Sequence, residues 1–209
     1  SSTATTISFS SASRENPQMT PHYARAVIMA STVMFPRVLF LILVIHPPLV
    51  LSAVIPLGTM LVTGLLFIFV FNKNRLGDRS SPHPSFDIGN PLELSTAIKF
   101  GLLFAFVLVV VEFAQTYLGS TGVYLTSFLT GLTDVDAITL SVSRLAANER
   151  LLREVAGISI LIASLMNTVS KGVISYVSGS PELRKPVIRA FSFIILSGLI
   201  SGVISFSFL

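Results

Sequence analysis

Long apolar runs of helical length, separated by short polar punctuation, dominate this 209-residue chain. A hydrocarbon core needs about 20 consecutive apolar residues of helix, and six stretches approach or reach that length. The first runs from Ala24 to Ile45, is interrupted at Pro36-Arg37, and ends at His46-Pro47-Pro48, because successive prolines cannot continue a helix. The second covers Leu49 to Phe71. A polar stretch follows, Asn72 to Pro91, with Lys73, Arg75, Asp78 and Arg79. The third runs from Leu92 to Leu118, with Glu93 in the first turn where a helix dipole favours a carboxylate. Thr121 to Ala146 comes next, then Glu154 to Val177, then Val187 to Leu209.

The fourth stretch contains Gly131-Leu132-Thr133-Asp134-Val135-Asp136. Two acids within three residues are foreign to the interior of an apolar helix, and Asp136 is a fit N-cap for a helix starting at Ala137. The pattern predicts a span broken into two half-helices near the bilayer centre.

Composition supports a membrane protein. Hydrophobic residues make up 52% of the chain and charged residues 11%, against about 25% charged in soluble domains. So few charges cannot cover a water-facing surface. The chain has no Cys, which excludes disulfides and thiolate metal sites, and no Trp. Its 14 basic residues are scattered over short loops, a pattern that argues topology rather than nucleic acid. If successive spans alternate, Arg14, Arg25, Lys73, Arg75, Arg79, Arg144, Arg150 and Arg153 share one side. Arg184, Lys185 and Arg189 take the other. The positive-inside rule then makes the first side and the C-terminus cytoplasmic, in a multi-pass membrane protein.

Sliding the chain against itself by 133 residues brings Ala4, Thr6, Ser8 and Ser10 onto Ala137, Thr139, Ser141 and Ser143, and Pro48 onto Pro181. This predicts an all-α membrane fold of about six full spans or half-spans in two parallel repeats with broken helices. Residues 1–76 form a first repeat, 77–91 a polar cytoplasmic loop, and 92–209 a second repeat. Ser1-Ser2-Thr3 falls on Asp134-Val135-Asp136, so the first repeat is expected to be truncated at its N-terminus.

The strings Ser1-Ser2-Thr3-Ala4-Thr5-Thr6-Ile7-Ser8-Phe9, Gly131 to Ser141 and Asn167-Thr168-Val169-Ser170-Lys171 resemble the large C-terminal membrane domain of MgtC/SapB-family proteins. The likeness runs over essentially the whole chain. It implies a bacterial or archaeal inner-membrane protein linked to magnesium or other cations, and it settles no chemistry.

A charged Asp at mid-membrane costs roughly 2.5–3.5 kcal/mol on insertion scales, so Asp134 and Asp136 need a reason. The functional reading is a site for Mg²⁺ or another inorganic cation, or for a proton, with Asp134 and Asp136 as ligands. Thr133, Thr139 and Ser141 add the neutral oxygens that hard cations prefer. The plainer reading is that Asp136 caps the second half-helix while Asp134 neutralises a lysine. Asn167 and Lys171 sit four apart on one helix face. Lys171 either pairs with Asp134 or Asp136 and competes with the cation, or snorkels to the interface. Arg37 is the matching cation of the first repeat, facing the hydroxyl-rich Thr3 and Thr6, or a structural residue at a proline kink. Glu112, deep in the third span, is a functional candidate by default or a protonated, hydrogen-bonded group. Gly198 and Gly202 permit close helix contact, within the chain or in a homodimer. No motif speaks for an enzyme. The expected function is cation transport, and the rival is a non-transporting MgtC-like regulatory or assembly subunit.

Overall fold

The computed structural model describes residues 2–73 and 94–207; the polar loop expected over residues 77–91 lies outside them. Eight α-helices follow in order: α1 Ser2–Glu15, α2 Thr20–Thr32, α3 Met34–Ile45, α4 Val50–Lys73, α5 Leu94–Gly131, α6 Asp136–Ala147, α7 Arg153–Ser178 and α8 Pro181–Ser207. Proline-led 3-10 turns, Pro17–Met19 and Pro47–Leu49, precede α2 and α4. Among the described residues, five helical stretches are long and apolar enough to cross a membrane: 17–45, 47–69, 101–131, 153–178 and 181–207. The first is α2 and α3 joined at Val33. Pro36 has no N–H to offer the Thr32 carbonyl and its ring crowds that carbonyl, so the helical ladder opens there.

α5 is two helices joined at a sharp turn. Gly119 has φ 58° and ψ −148°, a region only glycine adopts without strain. A Cβ on Gly122 would lie 2.5 Å from the Ala114 carbonyl oxygen, although residues eight apart in a straight helix are separated by about 12 Å. The chain therefore turns back sharply at Gly119, bringing Gly122 against Ala114 and Leu118.

The partners of α6 set its direction. Arg150, just past α6, pairs with Glu112. This contact requires α6 to run back toward Gly119. The 120–131 helix and α6 thus form a helical hairpin whose tip is Leu132 to Val135, and the expected single broken crossing over Thr121 to Ala146 is replaced by a reversal.

The remaining helices interlock antiparallel. Thr59 Oγ1 and Ser201 Oγ are 2.7 Å apart between α4 and α8. Gly198 lies against Met60 and Leu165, Gly202 against Leu161, and Gly157 between Ser52 and Phe206. The Gly198 and Gly202 notches are thus filled within the chain. At the opposite end, Arg14 Nη2 donates to the Val177 carbonyl at 2.5 Å and the Ser180 N–H donates to Ser13 Oγ at 2.9 Å.

These contacts correct the expected sidedness. Arg14 sits at the α7–α8 corner with Arg184 and Lys185, whereas Arg144, Arg150 and Arg153 cluster at the other end of the bundle. The alternation argument failed because it counted a hairpin as a crossing. The same reversal makes counterpart elements at the 133-residue offset run in opposite directions: α1 ends at the α7–α8 corner, α6 at the far end. The common direction expected of them is not found.

The hairpin tip seats closely on α7. A Cβ on Gly131 would meet the Ala163 Cα at 2.7 Å and its carbonyl oxygen at 2.6 Å, and backbone cannot yield as a side chain does. Gly131→Ala is therefore expected to cost about 1–3 kcal/mol, read as a lowered thermal midpoint in detergent. Gly58→Ala, which meets nothing within 4 Å, is expected to leave the midpoint unchanged or raise it. Equal midpoints for the two variants would contradict this packing.

Candidate functional site

The hairpin tip delivers both acids to the middle of the bundle and gives them different tasks. Asp134 Oδ1 accepts the Asp136 N–H at 2.6 Å. Asp134 thereby satisfies one of the orphan donors of the first turn of α6. The capping role assigned to Asp136 belongs to its neighbour. Asp136 makes no side-chain cap; its carboxylate is 7% exposed and forms an ion pair with Arg37 of α3.

Lys171, on α7, is fully buried, so it does not snorkel. Its Nζ lies 3.5 Å from Met34 Sδ, a weak acceptor, and it forms no ion pair among the described residues. The charges of Asp134 and Arg37 both reach it. The pairing expected of Lys171 with an aspartate is made by Arg37 instead, and Arg37 borders Ser2 and Thr5 of α1 as well as that carboxylate. Asn167, one turn before Lys171, donates Nδ2 to the Gly131 carbonyl at 3.0 Å. It is 3% exposed, and its Oδ1 has no partner.

The Arg37 side chain is 55% exposed because it lines a cavity of about 440 Å³ together with Ser2, Thr5, Met29 and Met34. That cavity runs along α1 and the α2–α3 bend and reaches Arg37. Asp136 is thus hidden behind a cation that is itself reachable.

The hydroxyls contribute unequally. Thr139 is buried, and its Oγ1 has no partner. Ser141 is also buried but bonds the Ala137 carbonyl at 2.8 Å. Thr133 is exposed and turns back on the Thr130 carbonyl at 2.9 Å. Thr6 bonds the Ser2 carbonyl at 2.9 Å, and Thr3 is half-buried in the first turn of α1. Glu112 does not belong here. It is partly exposed, 44%, and paired with Arg150, rather than buried among helices.

The structure therefore joins Asp134, Asp136, Arg37, Lys171 and Asn167, leaves Thr139 adjoining on α6, and detaches Glu112, Thr133 and Ser141. Two acids face two fixed bases. Among the described residues no three His, Cys, Asp or Glu cluster as a metal site. Met34 and Gly131 went unremarked as partners; a glycine ending an apolar helix beside an acid is the one signal that marked the second.

The sequence profile described as "Domain of unknown function (DUF4010)" matches residues 1–179. A protein of Aquifex aeolicus (strain VF5), described as "Uncharacterized protein", is 33% identical over 185 residues, which cover 88% of this chain and 80% of that protein. No solved structure matches the chain.

The two ion pairs should differ in strength. A double-mutant cycle on Arg37 and Asp136, truncating each to Ala, is expected to give a coupling of about 1–3 kcal/mol in unfolding, because the carboxylate is desolvated. The same cycle on Glu112 and Arg150 is expected to give less than about 1 kcal/mol, as for solvated pairs. A larger coupling at the second pair would reverse the assignment.

Proposed function

The chain belongs to the DUF4010 family, and from that premise we propose that this member is a transport domain for a small inorganic cation, resident in a cell inner membrane. The carrying observation is the Arg37–Asp136 pair at the tip of a hairpin, its arginine lining a cavity. In this reading the hairpin is re-entrant: it enters from one membrane face, turns at mid-depth and leaves by the same face. Counterpart helices at the 133-residue offset form an inverted repeat. Moving Thr20–Ile45 by 133 gives 153–178, the bounds of α7, and α1, α2–α3 and α4 run opposite to α6, α7 and α8. A pseudo-two-fold axis in the membrane plane, with half-helices beginning at its centre, is a common plan of secondary transporters.

Cargo reaches Asp136 by displacing Arg37, and Asp134 stands between Lys171 and the α6 N-terminus. The empty site is neutral, with two carboxylates balancing two bases. A monovalent cation adds one uncompensated charge and Mg²⁺ adds two. Each such charge at mid-depth costs roughly 2.5–3.5 kcal/mol on insertion scales. The arithmetic favours a monovalent cation, or its exchange for a proton, over Mg²⁺. The resemblance to MgtC/SapB-family membrane domains supports a cation and supplies no residue role. If instead these residues only hold the hairpin, the protein is a regulatory or assembly subunit.

Flux separates the two. In proteoliposomes, Asp134→Asn and Asp136→Asn are each expected to lower Na⁺, K⁺ or H⁺ flux at least about tenfold, the size of one lost charge-assisted contact. Folded variants with wild-type flux would discard the transport reading.

Sidedness gives an independent check. Arg14, Arg25, Lys73, Arg184, Lys185 and Arg189 gather at one end, against Arg144, Arg150 and Arg153 at the other. The positive-inside rule makes the first end cytoplasmic and places the C-terminus outside, the reverse of the simple alternation. The chain has no native Cys, so Asn148→Cys is expected to react with a membrane-impermeant maleimide on intact cells. Glu15→Cys is expected to react only after permeabilisation. Matching behaviour at the two positions would refute the re-entrant hairpin.

A further inference from the structure

A second site lies on the outside of the bundle, away from the acids. Between α7 and α8 runs a cavity of about 270 Å³. Thr168, Gly172 and Tyr176 line it from one helix, and Ile188, Phe191 and Ile195 from the other. The residues on each helix recur at three- and four-residue spacing, so the cavity is a groove parallel to both axes, about 10 Å long from Ile188 to Ile195. Gly172 keeps it open: its missing side chain leaves Phe191 and Ile188 3.6 and 3.8 Å from where a Cβ would stand. Almost nothing polar faces inward, so the groove cannot hold ordered water.

The mouth has the opposite character. Arg184 lies one turn before Ile188 on the same stripe of α8, and its guanidinium stacks 5.0 Å above the exposed Tyr176 ring. Arg184 Nε is buried and has no hydrogen-bond partner, and neither ion pair among the described residues involves this side chain. A buried guanidinium donor without an acceptor is costly. Exposed Lys185 and Arg189 stand on the same turns of α8, and Arg14 is bound at the adjoining corner through the Val177 and Gly179 carbonyls. Glu182 is exposed and pairs with none of them among the described residues.

An apolar slot that opens under a fixed, acceptor-less arginine fits a molecule with a hydrocarbon tail and an anionic head. We propose that this groove is a specific site for an anionic phospholipid. One acyl chain lies in the groove along Gly172 and Phe191, and the phosphate accepts hydrogen bonds from Arg184, with Lys185 and Arg189 adding attraction. This end of the bundle carries the basic excess, as an end that faces an anionic leaflet should. The site does not depend on the transport reading.

The test uses the purified, delipidated 209-residue chain in mild detergent. Phosphatidylglycerol is expected to raise the thermal midpoint saturably and to remain bound in native mass spectra. Phosphatidylcholine, whose choline cation offsets the phosphate charge and faces Lys185 and Arg189, is expected to bind at least about tenfold more weakly. Gly172→Leu, which fills the slot, and Arg184→Gln, which removes the charge, are each expected to lower phosphatidylglycerol affinity by a similar factor. Arg184→Lys keeps the charge without the fork and is expected to fall between Gln and wild type. Equal binding of the two lipids, or unchanged affinity in the folded variants, would overturn the proposal. So would a midpoint shift reproduced by glycerol phosphate alone, which would assign a headgroup pocket without the groove.

Discussion

Charge has to be compensated where water is scarce, and in this bundle the compensation is between an arginine on a bent helix and an aspartate on a hairpin. Arg37 reaches Asp136 because Pro36 opens the helix just before it, and Asp136 is free to be reached because Asp134 has taken over a backbone donor of α6. Three local features thus converge on one contact: a proline that breaks a ladder, an acid that closes a turn, and a second acid left over. Removing one partner of a desolvated pair strands the other, so the contact ties α3 to α6 as firmly as packing does.

Much of the architecture was legible in the residue pattern, because helix length and apolarity are local properties. The proline turns at His46-Pro47-Pro48 and the interruption at Pro36 were visible, as was the departure from helix after Gly131. The direction of the chain after that departure was not. A polar break between two half-length helices reads identically whether the chain continues or doubles back, and it takes a long-range partner, Glu112 for Arg150, to distinguish the two. That one undetermined sign propagated into the sidedness of every later helix.

The candidate site was half legible for a related reason. Asp134, Asp136, Asn167, Lys171 and Arg37 all stand out as polar groups in apolar surroundings, and the fold does gather them. Which base meets which acid depends on helix rotation and on the bend between α2 and α3, information spread over the packing of α3, α6 and α7. Lys171 illustrates the limit: its depth was evident from its neighbours in sequence, while its contact with a methionine sulfur was not.

Gly119 has room for a side chain, yet its backbone accepts none without strain. A Cβ there would find open space on every side, and still the dihedral angles exclude one. Any change in the first two bases of its codon installs a side chain or a stop, so the position would be held constant through descent with no partner to account for it. An observer ranking residues by their neighbours would pass over it. The chain's sharpest evolutionary constraint would then be a torsion angle rather than a contact.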